Sequence, residues 1–471
     1  MKKLILIGFA IGVFSGPFGC VRNPATGKRQ IVLVSEAEEI SLGQKSDPQV
    51  RREYGVAAGA RLQDYVEGLG HKLVRVSHRP NLEWHFTVVD SPVVNAFALP
   101  GGYVYVTRGI LAYLGNEAEL AGVMGHEIGH VTARHSVGQI TREEFAQVGL
   151  GVGGVISPAL GELGNAAQSG LGLMFLRFGR DDEREADRLG VEYAARAAYD
   201  ARQVSSFFDV LGRLSAAEDR QTIPGWLSTH PNPPDRVDAT RKEAEEWIQM
   251  LGLPEERMVV NREPFLHEID GMAFGNNPRE GFSEGRRFYH PELEFHIDFP
   301  ADWHVENARE AVIATEPQGR GRIQLSVALA PRGTTARDYV RMLSLRGLVP
   351  LHIRQVQIHG YTATLADYSS ASAGFIEFRE KIYQIVGVGR FKDAFEQTVQ
   401  SFDEITDERI LNVKPDRLKI YTAKEGETLR SMAEQSRNPR VTADDLGVLN
   451  RMAIDQPITP GRLVKLVDPG Y

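Results

Sequence analysis

At 471 residues the chain exceeds one ordinary domain of about 100–200 residues, so several folded units are expected. Hydrophobic residues at 42% and charged residues at 25% exclude a disordered chain and a multi-spanning membrane protein. The net charge of −8, with no interleaved basic and aromatic stripe, lacks the electrostatic footprint of a nucleic-acid binder, so no nucleic-acid partner is expected.

Met1-Lys2-Lys3 followed by the apolar run Leu4 to Ser15 has the charged start and short apolar core of a secretory signal, and the run is too short to span a bilayer. It leads to Cys20, the only cysteine, so no intramolecular disulfide can form. The segment, residues 1–20, resembles a bacterial lipoprotein signal peptide, which implies cleavage before Cys20, acylation of Cys20 as the mature N-terminus and a membrane anchor. Pro17 and Phe18 depart from the small or aliphatic residues usual there, and a simple secretory signal is the alternative reading. Val21, where an aspartate would mark retention in the inner membrane, implies the periplasmic side of the outer membrane.

Residues 21–258 read as an α-rich α+β domain. Ser35 to Gly43 and Ala58 to Val76 carry helical spacing, Asn81 to Asp90 alternates like a strand, and Val94 to Thr107 reads as a hairpin broken at Pro100-Gly101-Gly102. Helices then dominate to Trp247. The glycine-rich stretch Val148 to Leu176 is read as a mobile active-site cover, with a pair of buried short helices as the alternative. Residues 263–405 alternate strand-like runs with helices at Thr335 to Leu345 and Lys392 to Gln400, which predicts an α+β accessory domain. Residues 417–468 form a last short unit whose periodicity fits βααβ.

Asn116 with Glu119 marks a helix start before the run Leu120 to Arg134. That helix carries His126-Glu127-Ile128-Gly129-His130. Residues four apart lie about 40° apart around a helix and roughly 6 Å along it, so both imidazoles face one point and can share a metal ion. Glu127 is turned by about 100° from His126, off the metal but near a water bound there. In the helix-like stretch Asp181 to Ala195, Glu183 and Asp187 share a face, so Glu183 can complete a His2Glu site and Asp187 can orient a ligand histidine. A solvated face paired to Arg180, Arg184 and Arg188 is the alternative. His135 competes as third ligand, but Ala133 stands where a glycine turn would be needed, so it is read as structural. His71 is read as having no role.

The His126 to His130 and Glu183 to Asp187 motifs, Asn95-Ala96-Phe97-Ala98-Leu99-Pro100-Gly101-Gly102, and Thr229-His230-Pro231 together resemble the CAAX prenyl protease, HtpX and BepA family of zinc metallopeptidases. The resemblance covers about Asn23 to Trp247 and lies with the soluble periplasmic branch. It implies a gluzincin fold and one Zn2+ per chain on His126, His130 and Glu183, with Glu127 as general base. It further implies that His230 lies over the metal, as oxyanion donor or resting cap, with Arg236 in support. The donor role is the expected one, because the prolines at 231, 233 and 234 stiffen that loop. The strand Asn95, Ala96, Phe97, Ala98 would pair with an extended substrate. Tyr421 to Val467 resembles a LysM module through Glu425-Gly426-Glu427-Thr428-Leu429, Leu449-Asn450 and Pro460-Gly461-Arg462-Leu463, which implies peptidoglycan as a partner. Glu427 stands in place of the usual aspartate there, and a capping domain without ligand is the alternative.

The expected activity is a zinc metalloendopeptidase of the cell envelope acting on unfolded or misassembled envelope proteins. Two rivals remain: a zinc hydrolase cutting peptidoglycan, and an envelope chaperone or scaffold with a latent protease domain.

Overall fold

The computed structural model describes residues 19–150, 178–216, 226, 230, 235–436 and 438–470. Residues 1–18 of the leader and residues 151–176 of the expected cover lie outside these. The chain divides into two units, Met1–Ile269 with Gly447–Met452, and Asp270–Leu446 with Ala453–Tyr471.

The first unit opens with a hairpin, β1 (Gly19–Arg22) against β2 (Arg29–Val32), whose turn is closed by Asn23 Oδ1 accepting from the amides of Ala25 and Thr26. Helix α1 (Glu36–Tyr54) starts in a capping box between Ser35 and Glu38. Helix α2 (Ala60–Val74) buries Leu62, Val66, Leu69 and Leu73, the stripe expected from period 3.6. Three strands follow, β3 (His85–Val89), β4 (Ala96–Leu99) and β5 (Tyr103–Thr107), in the order β3-β5-β4. β3 and β5 run parallel, while β4 and β5 form the expected hairpin, leaving β4 on the sheet edge. The turn needs glycine: Gly102 has φ +98, and a Cβ there would lie 2.3 Å from the Glu83 carbonyl oxygen.

Helices α3 (Arg108–Tyr113), α4 (Glu117–Thr132), α5 (His135–Leu150), α6 (Arg180–Arg196), α7 (Gln203–Ala216), α8 (Arg236–Leu251) and α9 (Arg262–Ile269) complete this unit. Every residue of α4 is buried. A helix enclosed on all sides is a rigid mount for side chains that must converge on one point.

In the second unit, β6 (Phe282–Glu284), β7 (Arg287–His290) and β8 (Phe295–Asp298) are followed by β9 (His304–Asn307), β10 (Ala311–Thr315) and β11 (Arg322–Val327). Helix α10 (Ala336–Leu345) precedes β12 (His352–Ile358), β13 (Tyr361–Asp367), β14 (Ala371–Phe378) and β15 (Lys381–Val388), and helix α11 (Lys392–Gln400) leads to β16 (Asp403–Glu404). A seven-stranded antiparallel sheet runs β12-β13-β14-β15-β11-β10-β9, and a four-stranded one runs β16-β8-β7-β6. Their shared core packs Phe288, Phe295, Phe299, Tyr383 and Phe402. Strands β9 and β12 were not legible from pattern because HVEN and HIRQVQI lack clean alternation and are mostly exposed.

After a short helix α12 (Glu408–Leu411), β17 (Arg417–Thr422) pairs antiparallel with β18 (Leu463–Asp468). Between them lie α13 (Leu429–Gln435), capped by Thr428 and Ser431, and α14 (Ala443–Asn450), giving the order βααβ.

Candidate metal centre

Both ends of α4 are tied down. At its start Asn116 Oδ1 accepts from the Glu119 amide at 2.9 Å, while Glu119 accepts from the Gly115 amide at 2.8 Å, one residue earlier than a capping box would. At its end Arg79 donates to the Val131 carbonyl and Asn23 to the Ala133 carbonyl, both at 3.0 Å. Arg79 and Arg134 each pair with the buried Glu39, at 2.7 and 2.8 Å, which locks α1 to the same point.

Helix α6 reaches α4 through a glycine notch. A Cβ on Gly190 would lie 2.8 Å from the His126 nitrogen, and one on Gly125 would lie 3.0 Å from the Gly190 carbonyl oxygen. That approach brings Glu183 and Asp187 to the imidazoles. Both carboxylates are buried, at 1% and 5% exposure, while Arg184 pairs with Asp181 and Asp235 and Arg188 with Glu192. The solvated-face alternative therefore fails for these two residues.

His126 Nε2 lies 3.0 Å from His130 Nε2 and 3.3 Å from His230 Nδ1, and His230 Nδ1 is 2.8 Å from Glu183 Oε1. Glu183 also lies 3.5 Å from His130 Nε2. One donor atom from each of His126, His130, Glu183 and His230 falls within a span of 4.8 Å. Asp187 Oδ1 faces His126 Nδ1 at 2.9 Å, and a carboxylate can only accept, so the ring proton sits on Nδ1 and the lone pair of Nε2 points into the cluster. Glu183 Oε2 is buried without a hydrogen-bond partner. Facing lone pairs and an orphaned carboxylate oxygen, all out of water, are satisfied together by one cation, so the residues fit a metal ion.

The electrostatics follow from burial and neighbours. Burial raises the Glu127 carboxyl above its ordinary value, only partly opposed by His230 and His126. Burial would also raise Glu183 and Asp187, but His230 for the first and Arg236 for the second hold them below their ordinary values. Burial drives the His130 imidazole well down, with the neighbouring histidines adding to it.

Glu127 Oε1 lies 3.6 Å from His230 Nε2 and has no hydrogen-bond partner. Arg236 donates to Asp187 at 2.6 Å, lies 3.4 Å from Glu183 and stacks over Phe208. His135, read as structural from the sequence, has its Nδ1 2.9 Å from His130 Nδ1, so it orients that ring from outside the cluster. Two contributors escaped the sequence reading. Phe178 stacks on His130 with centroids 4.1 Å apart, and Trp226 stacks on His230 at 4.4 Å. No local pattern marks Phe178 or Trp226.

Ala96 to Ala98 enter on β4, with Asn95 just before it; β4 packs against α4, and Trp226 donates its backbone N–H to the Val94 carbonyl ahead of that strand. Asn95 Oδ1 is buried without a partner. Cys20 lies in β1, and His71 sits edge-on to Phe86. Neither belongs to the cluster.

Residues 60–244 match the family described as Peptidase family M48. The chain is 35% identical over 196 residues to a putative beta-barrel assembly-enhancing protease of Vibrio cholerae, covering 40% of each chain. It is 34% identical over 190 residues to the mitochondrial metalloendopeptidase OMA1 of Arabidopsis thaliana, covering 40% of this chain and 35% of that protein. It is 29% identical over 238 residues to the beta-barrel assembly-enhancing protease of Escherichia coli K12, covering 48% of each. The matches thus span less than half the length of these three relatives. The histidine pair on α4 and Glu183 on α6 both lie inside the segment, residues 60–244, that is similar to Peptidase family M48.

Proposed function

We propose that the protein is a zinc metalloendopeptidase of the bacterial cell envelope that degrades misfolded or misassembled periplasmic and outer-membrane proteins. The observation that carries this reading is the convergence of His126, His130 and Glu183 beside a buried, partnerless Glu127 oxygen. His126, His130 and Glu183 would hold the ion, and bound zinc supplies a Lewis acid that activates water and polarises a carbonyl. Glu127 takes the proton of the attacking water and passes it to the leaving amine, a role suited to a carboxyl raised by burial. Asp187 and His135 fix the two ligand rings, and Arg236 balances the paired carboxylates. The free edge of β4 suits backbone pairing with an extended chain, which tolerates many sequences. The names of the bacterial relatives support outer-membrane proteins as the substrate class.

Incubating the purified protein with an unfolded outer-membrane β-barrel protein tests this. Cleavage that chelation stops and zinc restores is expected. Glu127→Gln should keep about one zinc and lose cleavage by at least about 10²-fold. A zinc-loaded wild type that leaves unfolded protein intact but releases amines from purified cell wall would transfer the reading to a peptidoglycan hydrolase.

The site favours a second reading for His230. Its Nδ1 lies among the donor atoms rather than beyond them, which suits a resting cap on the fourth metal position better than an oxyanion donor. Acylation at Cys20 and outer-membrane anchoring extend the proposal, supported by the lipoprotein-like leader. Glycan binding by the LysM-like βααβ unit is supported by a cleft of about 340 Å³ lined by Tyr421, Glu427, Met432, Gln435 and Leu466.

A further inference from the structure

Five large aliphatic side chains stand exposed within nine residues of the second unit: Leu345 at 84%, Leu348 at 55%, Val349 at 67%, Leu351 at 66% and Ile353 at 53%. Such a concentration is unusual on a folded surface and marks a contact site. Helix α10 turns Ala336, Tyr339 and Val340 into the core, while Arg337, Arg341 and Leu345, each four residues on, share its outer stripe. The helix ends where Gly347, at φ +93, reverses the chain, with the Leu348 amide bonded back to the Leu343 carbonyl. The Leu351 amide then bonds to the Asp367 carbonyl at 2.7 Å, at the start of edge strand β12. The tip is thus fastened at both ends, with its apolar side chains outward.

Arg337 and Arg341 lie on the helix stripe that leads to Leu345 and Arg346 follows it; all three are exposed, and among the described residues none makes an ion pair or hydrogen bond through its side chain. The acidic residue of this helix, Asp338, is bonded to Thr335. A chain of net charge −8 therefore places three uncompensated positive charges next to its apolar tip. Charges of one sign next to aliphatic residues complement an anionic headgroup layer over acyl chains, which needs no matching groove.

We infer that the tip formed by Leu345 to Ile353, with Arg337, Arg341 and Arg346, is a membrane-docking surface that inserts into an anionic lipid layer. It acts independently of any acyl chain on Cys20 and of the peptidase site.

Because Cys20 is the only cysteine, the full chain with Cys20→Ser and Val349→Cys takes an environment-sensitive nitrobenzoxadiazole label at the tip alone. On vesicles of phosphatidylcholine with one-third phosphatidylglycerol, the label should brighten and shift to the blue. The same label on Gln318→Cys, an exposed turn between β10 and β11, should not respond. Replacing the three arginines by glutamine should weaken the vesicle affinity read at position 349 by about 100-fold, at roughly fivefold for each charge. An unchanged signal at position 349 on these vesicles overturns the inference. So does a response equal on pure phosphatidylcholine and indifferent to the arginines. A blue shift that grows with protein concentration without lipid would instead make the tip an interface between copies.

Discussion

In the proposed metal site Asp187 and Arg236 would act on the ion through other residues, and their removal should separate affinity from chemistry. Asp187→Asn leaves the shape but weakens the acceptor that fixes His126, so zinc affinity should fall by about 10–100-fold in a competition titration, with activity returning at excess zinc. His230→Ala should keep about one zinc and cleave unfolded substrate faster if the ring caps the resting ion. A slower rate at equal zinc content would restore the oxyanion role. In the second unit, burial against Phe288 and Phe295 lowers the His290 imidazole to about 4, and the ring accepts the Leu293 amide. The unfolded chain takes this proton near pH 6.5 and the folded one only near 4, so stability is unaffected above 6.5 and falls as pH drops through that window. The loss is about 3 kcal/mol. Chemical denaturation at pH 7 and pH 4.5 should show it in the wild type and lose it in His290→Asn.

Between elements, the decisive contact is the glycine notch between α4 and α6. Gly190→Ala places a methyl 2.8 Å from the His126 backbone nitrogen, which cannot move inside a fully buried helix. The helices must separate, at a cost of about 1–3 kcal/mol. Glu183 would then withdraw from the imidazoles, so the variant should lose zinc affinity together with thermal stability. A variant that binds zinc as tightly as wild type would remove the notch from the account. Gly212→Ala, on α7 where a Cβ meets nothing within 4 Å among the described residues, serves as the control.

For the whole molecule, the question is how the chain is held at the envelope. If Cys20 is acylated, the wild type should fractionate with outer membranes, while Cys20→Ser should be released or remain unprocessed. Equal fractionation of the two would remove the anchor. Two membrane signals, an acyl chain and a basic apolar tip, would give stable attachment where one alone is marginal. Among the described residues no helix is long and apolar enough to cross a bilayer.

The sequence by itself determined the elements that bear the chemistry, since those signals are local. Four-residue spacing put His126 with His130 and Glu183 with Asp187, and Asn116 marked where the first helix begins. The limits of β10, β15 and α11 were legible for the same reason, because alternation and helical period are properties of a few adjacent residues. Tertiary structure alone decided what long loops bring together. His230, placed over the metal beforehand only by the resemblance of Thr229-His230-Pro231, meets His126 across 104 positions, and Trp226 covers both rings without any pattern around it. Likewise, Leu345 closed an expected helix and residues 346–353 carried no expected element, so nothing marked their side chains as uncovered until the fold was in place. Burial is set by which other elements pack against a segment, and the segment's own residues do not contain that information.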